Sequence, residues 1–222
     1  MDADVDDFGT DAVRWYLMRE MPTGGDASYT PERFLARYDE ITASSLIKIN
    51  ADGEVVERSP YKANKAGFMI HSAIHMARED AQCVWHMHTL AGMAVSAQEE
   101  GLLPIHMYAH NFFERLSYHE YEGPSMRLDE RDRLVRSLGS SNNALILRNH
   151  GLLTTGRTIP EAFNRYWRHN RACEIQLAAQ AAKLRIPSRE VCEASYAMGE
   201  EFLTDQAPLG ELEFDALVRK IE

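Results

Sequence analysis

Apolar positions recur at helical spacing along much of the chain, and the clearest stripe, Ile70, Ala73, Ile74 and Ala77, predicts a helix over residues 67–79. The run CVWHMH that follows is β-rich, and it leads into a helix expected to start around Thr89. The order is helix, strand, helix. A further helix opens near Asp129 and ends at Gly139, a suitable C-cap, and ALILRNHGLLTTG reads as a buried strand, a tight turn at His150-Gly151 and a return. Thr158 and Glu161 form a capping box, with Pro160 in the first turn of a long helix that should reach about Leu184. Two shorter helical segments close the chain.

Upstream the pattern changes near residue 40. Val13, Tyr16 and Leu17 share one helical face, and Thr30 can cap a second helix opened by Pro31 and carrying Phe34, Leu35 and Tyr38, with a turn-rich loop over Met21 to Ser28. From Ser45 the text becomes SLIKIN, the turn Asp52-Gly53 and then EVV, which is a β-hairpin signal. Sheet structure is expected to begin there. The chain carries no internal repeat and no low-complexity tract.

Length bounds the architecture: 222 residues make one substantial domain with an appendage and leave no room for a second full domain. Twenty-four basic side chains against 34 acidic ones give a net charge of -10. That balance argues against broad binding to nucleic acid or an anionic membrane, while a locally positive site could still take a small anion. No run of about 18 apolar residues is present, and the acidic start MDADVDD lacks the pattern of a signal peptide, so a cytoplasmic location is expected. Cys83, Cys173 and Cys192 show no CxxC spacing and read as buried free thiols.

Residues two apart in a strand point to the same side, so His86 and His88 present two imidazoles to one point. His150, at a strand end beside a glycine, is a candidate third ligand. Three neutral imidazoles would leave open positions on a metal, as catalytic sites do. The competing reading is that each histidine hydrogen-bonds in the interior, and spacing alone leaves both open. His71 and His75, four apart on a helix, could form another pair, but they read better as core packing. Arg165, Arg168, His169 and Arg171 form a basic cluster on the long helix, read as a solvated or subunit-facing surface with an anion site as the minor alternative.

The stretches NKAGFMIHSAIHMARED, VWHMHTLAGMAVSA, RLSYHEYEG and LRNHGLLTTG resemble, in order, the motifs of the class II aldolase/adducin family. The resemblance covers residues 41–222. It implies an α/β fold of three layers, α/β/α, with a central, largely antiparallel sheet, and a homotetramer with active sites at subunit contacts. It also implies metal ligands at His86, His88 and His150 for one divalent ion, zinc first, with iron or manganese as alternatives. In the family's aldolases that ion polarises a carbonyl and the neighbouring hydroxyl and stabilises an enediolate. ITASSL at residues 41–46 is similar to the family's anion loop, making Thr42, Ser44 and Ser45 candidate substrate donors, with turn-capping hydroxyls as the alternative.

One position departs from the pattern. Aldolases of the family place a catalytic glutamate four residues before the histidine that matches His71, and Gly67 stands there. A glycine cannot move a proton, so another group must. Tyr118, His110, His119, Glu120 and Glu122 occupy one polar, aromatic-rich segment, and Tyr118 and His110 are the two selected from it. The expected function is a metal-dependent aldolase-type lyase acting on a small hydroxylated carbonyl compound with an anionic group. Adducin head domains share the NKAGF and HSAIH text and act as binding modules without catalysis, which makes a non-catalytic interaction domain the second expectation. An iron-dependent oxygenase or a decarboxylase on the same scaffold is the third.

Residues 8–40 resemble a different family. FGTDAVRWYLMREMPTGGDASYTPERFLARYDE is similar to methionyl-tRNA synthetase, from the stretch after its catalytic signature loop. Synthetase activity does not follow, because the nucleotide-binding motifs are absent. The expected organisation is therefore a helical appendage at 1–40 and the aldolase/adducin-like domain at 41–222.

Overall fold

In the computed structural model the described residues are 46–60, 63, 65–123, 128–204 and 207–221. The two helices expected before residue 40, the seam itself, and Thr42, Ser44 and Ser45 lie outside them. In chain order the elements are α1 (Lys65–Ala77), β1 (Cys83–Met87), α2 (Leu90–Ser96), α3 (Met107–His110), β2 (Leu116–His119), α4 (Glu130–Leu138), β3 (Ala144–Leu147), β4 (Gly151–Gly156), α5 (Ile159–Ala179), α6 (Arg189–Thr204) and α7 (Glu211–Ile221). The strands form one sheet in the order β1-β4-β3-β2. β1 and β3 both run antiparallel to β4, and β2 is parallel to β3, so the sheet is largely antiparallel as expected.

Two apolar clusters define the layers. Ile70, Ala73 and Ile74 of α1 and Leu134 and Leu138 of α4 pack with Val84, Leu145, Leu147 and Leu153 on one face. Ala91 and Val95 of α2 and Cys173 of α5 pack with Ile146 and Leu152 on the other. The alternation of Leu145, Ile146 and Leu147 between the two clusters follows from the period of two along a strand. Each fully buried Leu or Ile contributes roughly 1.5–3 kcal/mol. The result is the α/β/α sandwich implied by the resemblance.

Side-chain chemistry sets the boundaries. Thr89 caps α2 by accepting from the Gly92 amide, and Thr158 caps α5 by accepting from the Glu161 amide at 3.2 Å. The Glu161 carboxylate completes its half of the exchange one residue early, accepting from the Arg157 amide. Gly139 closes α4 in the left-handed region, at φ +75°. Arg78, 7 % exposed, ties the end of α1 to the approach of β3 by donating to Asp80, to Asn143 Oδ1 and to the carbonyls of Gly139 and Asn142.

Three expectations are corrected in detail. The hairpin after Ser45 is a single Ile49↔Val55 bridge around a turn with Gly53 at φ +83°, because Val55 and Val56 on its return arm stay exposed. α5 stops at Ala179 and does not continue to Leu184, with Gln180 donating back to Gln176. In the β3–β4 turn the left-handed residue is Asn149, at φ +53°, and Gly151 is already the first residue of β4. The three cysteines are free and buried, as expected.

Candidate metal centre

β1 delivers the first two histidines, and its register with β4 says which way they face. His86 lies opposite Leu153, a member of the α1/α4-side cluster, and paired residues in a sheet point to the same face. His86 therefore projects toward α1, and His88, two residues on, follows it past the strand end. The third histidine comes from the β3–β4 turn. That turn is pinned to the end of α2, where the Ser96 carbonyl accepts from the Asn149 amide at 3.1 Å and Ser96 Oγ accepts from the His150 amide at 3.2 Å. Because α2 begins immediately after His88, one short helix spaces His88 and His150.

The three rings converge. Their centroids lie 4.6 to 4.9 Å apart, and one ligand nitrogen from each falls within 4.8 Å of the others. His86 donates from Nδ1 to the Leu152 carbonyl oxygen at 2.9 Å, which leaves its Nε2 unprotonated and aimed at His88 Nε2, 2.8 Å away. Two nitrogens on one tetrahedral ion with bonds of 2.0–2.1 Å sit about 3.3 Å apart, so small ring rotations would seat the ion. Burial is the main force holding the charge off all three rings. It lowers His88, and it brings His150 down to about 4 with help from its neighbours His88 and His119. Burial, and then His150, His88 and His71, push His86 well below the ordinary imidazole range. Neutral imidazoles are the form that ligates a metal, so the donor set fits one divalent ion. Gly151 makes room: a Cβ there would meet the Met87 carbonyl oxygen at 2.6 Å and the His88 ring at 3.0 Å.

Tyr118 and His110 sit elsewhere. Tyr118 pairs with Ile146, a residue of the α5-side cluster, so its ring lies on the opposite face of the sheet from His86. Its hydroxyl accepts from the Leu102 amide, and Arg148 stacks on its ring at 4.3 Å. His110 is buried with Nδ1 3.0 Å from Ser195 Oγ and Nε2 3.2 Å from the Pro104 carbonyl. Both side chains are engaged in packing contacts.

The same register places His119 on the triad's face, opposite Leu147. His119 is buried, with Nδ1 3.0 Å from Ser137 Oγ and Nε2 3.6 Å from a Glu130 carboxylate oxygen. His71 faces the same layer from α1; burial, then His75, lower it to about 3. Tyr121 approaches from outside, 52 % exposed, with its ring 6.4 Å from that of His150. Period-two counting from Tyr118 separates His119 from it, but only the strand order shows which face holds the histidines. Gly67 lies one helical turn before His71, on the same side of α1. Among the described residues the triad is the one cluster suited to a metal, and His71 and His75 belong to the packing of α1, with His75 Nδ1 donating to the Ala81 carbonyl at 2.7 Å.

Comparison with known proteins gives a consistent picture. Residues 24–177 match the family model for the Class II Aldolase and Adducin N-terminal domain, a match that begins within the stretch read as an appendage. An aldolase class 2 relative from Pseudomonas aeruginosa is 40% identical over 96% of this chain and 82% of its own length. Alpha-adducin of Rattus norvegicus is 40% identical over 83% of this chain, which spans 27% of that protein. Among solved structures, an aldolase II superfamily protein from Pseudomonas syringae superimposes with a TM-score of 0.77 at 44% identity, over 83% of this chain and 74% of that one. L-fuculose 1-phosphate aldolase from Glaciozyma antarctica superimposes with a TM-score of 0.63 at 30% identity, over 71% and 61%.

Proposed function

Since the chain belongs to the class II aldolase and adducin family, we propose that it is a metal-dependent aldolase-type lyase acting on a small hydroxylated carbonyl compound that carries an anionic group. The observation that carries this reading is the convergence of three neutral imidazoles, with His86 oriented through Nδ1 so that its other nitrogen is free to ligate. An interaction module has no use for such a donor set.

His86, His88 and His150 would hold one divalent ion, zinc first, with iron and manganese as alternatives that three imidazoles also accept. When bound, it would supply Lewis-acid stabilisation of negative charge developing beside a carbonyl. The protein's own residues supply the rest. Thr42, Ser44 and Ser45 would anchor the substrate's anionic group, and the L-fuculose 1-phosphate named for one structural relative has such a group. The sequence pattern points to Tyr118 or His110 for proton transfer, yet the described groups on the triad's own face include His71, His119 and Tyr121. His119 is the best supported of these, because Glu130 and Ser137 hold its ring in one orientation at the end of β2. The homotetramer and the cytoplasmic setting remain part of this proposal. Among the described residues no helix is long and apolar enough to cross a membrane.

Gly67 favours a second reading, a non-catalytic adducin-like interaction domain, since the position that carries the family's proton-transfer carboxylate is empty of one. The synthetase resemblance of residues 8–40 and an appendage at 1–40 stay part of this proposal, although residues 24–40 also fall inside the family match. The test is cleavage of L-fuculose 1-phosphate and related ketose phosphates by protein loaded with zinc, iron or manganese. Metal-dependent release of an aldehyde, lost in His119→Phe at unchanged metal content, supports the lyase and the role of His119. A fully loaded protein that cleaves none of them favours the interaction domain.

A further inference from the structure

Away from the histidines, a small cavity of about 50 Å³ opens between α3, the start of β3, α5 and α6. At roughly 10–15 Å³ for each water, it has the room of about four waters, or of one tetrahedral or planar oxyanion. Three guanidinium groups line it, those of Arg115, Arg165 and Arg168, with Glu200 as the one carboxylate among its described lining residues. On a chain of net charge -10 this local excess of positive charge is unusual.

The three arginines are not equivalent. Arg165 is already satisfied, paired with Glu161 at 2.6 Å and donating to the Thr155 carbonyl. Arg168 donates from Nε to the neutral Asn164 amide oxygen at 2.8 Å and lies over the Tyr108 ring. Arg115 donates to the carbonyl of Glu114 and lies over the Tyr196 ring at 5.5 Å. Contacts to amides, carbonyls and aromatic faces leave guanidinium N–H edges for an anion, because the fork binds carboxylate or phosphate in the plane of the group. Burial pulls Arg168 below the usual guanidinium range, outweighing the opposite pull of Glu213, Tyr108 and Glu200. Asn111 adds an amide donor; its Nδ2 occupies the space a Cβ at Gly199 would need, 2.9 Å away.

We propose that this cavity is a second ligand site, separate from the histidine triad, which binds a small oxyanion, phosphate or carboxylate, between Arg168 and Arg115 with Asn111 and Asn164 completing the shell. The inference does not depend on the lyase reading. It is tested in the full chain carrying His86→Ala and His88→Ala, so that no anion can be held by a metal at the triad. Titration calorimetry with inorganic phosphate, and separately with malonate at matched ionic strength, decides which oxyanion is preferred. The expected result is saturable one-site binding of one of them, with Kd on the order of 1 mM or tighter, weakened about tenfold or more by Arg168→Gln and by Arg115→Gln. Phenylglyoxal modification mapped by mass spectrometry needs neither substitution, and the bound anion should protect Arg115 and Arg168. No saturable binding of either anion, or binding and protection that ignore these two arginines, would overturn the proposal.

Discussion

His86 donates its Nδ1 hydrogen to the Leu152 carbonyl oxygen at 2.9 Å, across the β1–β4 pair. A carbonyl can only accept, so the tautomer of His86 is fixed by the backbone of the neighbouring strand. Nitrogen-resolved NMR of the imidazole rings should show His86 protonated at Nδ1 in both apo and metal-loaded protein, with the metal-induced shift confined to Nε2. A proton on Nε2 in the loaded form would contradict the arrangement.

Gly151→Ala should disturb the centre without touching a ligand. The added methyl would lie 2.6 Å from the Met87 carbonyl and 3.0 Å from the His88 ring, and backbone cannot give way as a side-chain tip can. Overpacking of this kind costs about 1–3 kcal/mol of stability, and misorienting a ligand lowers metal affinity about 10- to 100-fold. Thermal melts and a competitive chelator titration measure the two effects. Unchanged metal affinity would mean that the turn tolerates the displacement.

Much of this site is legible in the sequence, and the reasons divide cleanly. The alternation that aligns His86 with His88 is local, and so is the Thr89 cap that starts α2 beside them. Motif resemblance leads one to expect His150 at the site, but no local pattern brings it there, since its arrival depends on Ser96 catching the β3–β4 turn 54 residues away. Tyr118 and His119 are adjacent in sequence and face opposite layers. Choosing between them requires knowing that β2 pairs with β3 in parallel, opposite Ile146 and Leu147. The hairpin after Ser45 and the far end of α5 differ from expectation for a shared reason: turn residues and helix propensity mark where an element is permitted, while packing decides how far it extends.

Gly67→Glu tests whether the family's carboxylate adds to the proton transfer proposed for His119. The substitution replaces a poor helix former with a good one, worth roughly 0.5–1 kcal/mol in α1, and returns a carboxylate one turn before His71. With L-fuculose 1-phosphate as trial substrate, kcat should rise by about a hundredfold or more, the usual scale of a positioned general base. A variant that holds its metal, folds normally and shows no gain would place the proton transfer elsewhere on the triad's face.

Acid sensitivity should trace in part to His169. This ring is 0 % exposed on α5, tilted against Phe112 with centroids 4.7 Å apart, and among the described residues neither nitrogen has a hydrogen-bond partner. Burial lowers it from 6.5 to about 3. The unfolded chain takes up a proton below about pH 6.5 while the folded one does not, so stability is complete above that value and is lost as pH falls toward 3. His71 adds a loss of the same sign. Between about pH 7.5 and pH 5 the His169 contribution comes to about 2 kcal/mol, and His169→Leu should remove it, as urea midpoints at the two values would show. Equal acid sensitivity in the variant would assign the effect to other groups.

If His86, His88 and His150 hold one divalent metal ion, elemental analysis of freshly purified protein beside a His86→Ala, His88→Ala variant will reveal it. Close to one zinc, iron or manganese ion per chain is expected, absent from a variant that remains folded. A folded parent protein that binds none of the three, even after reconstitution, would contradict it and leave the adducin-like interaction domain as the better reading.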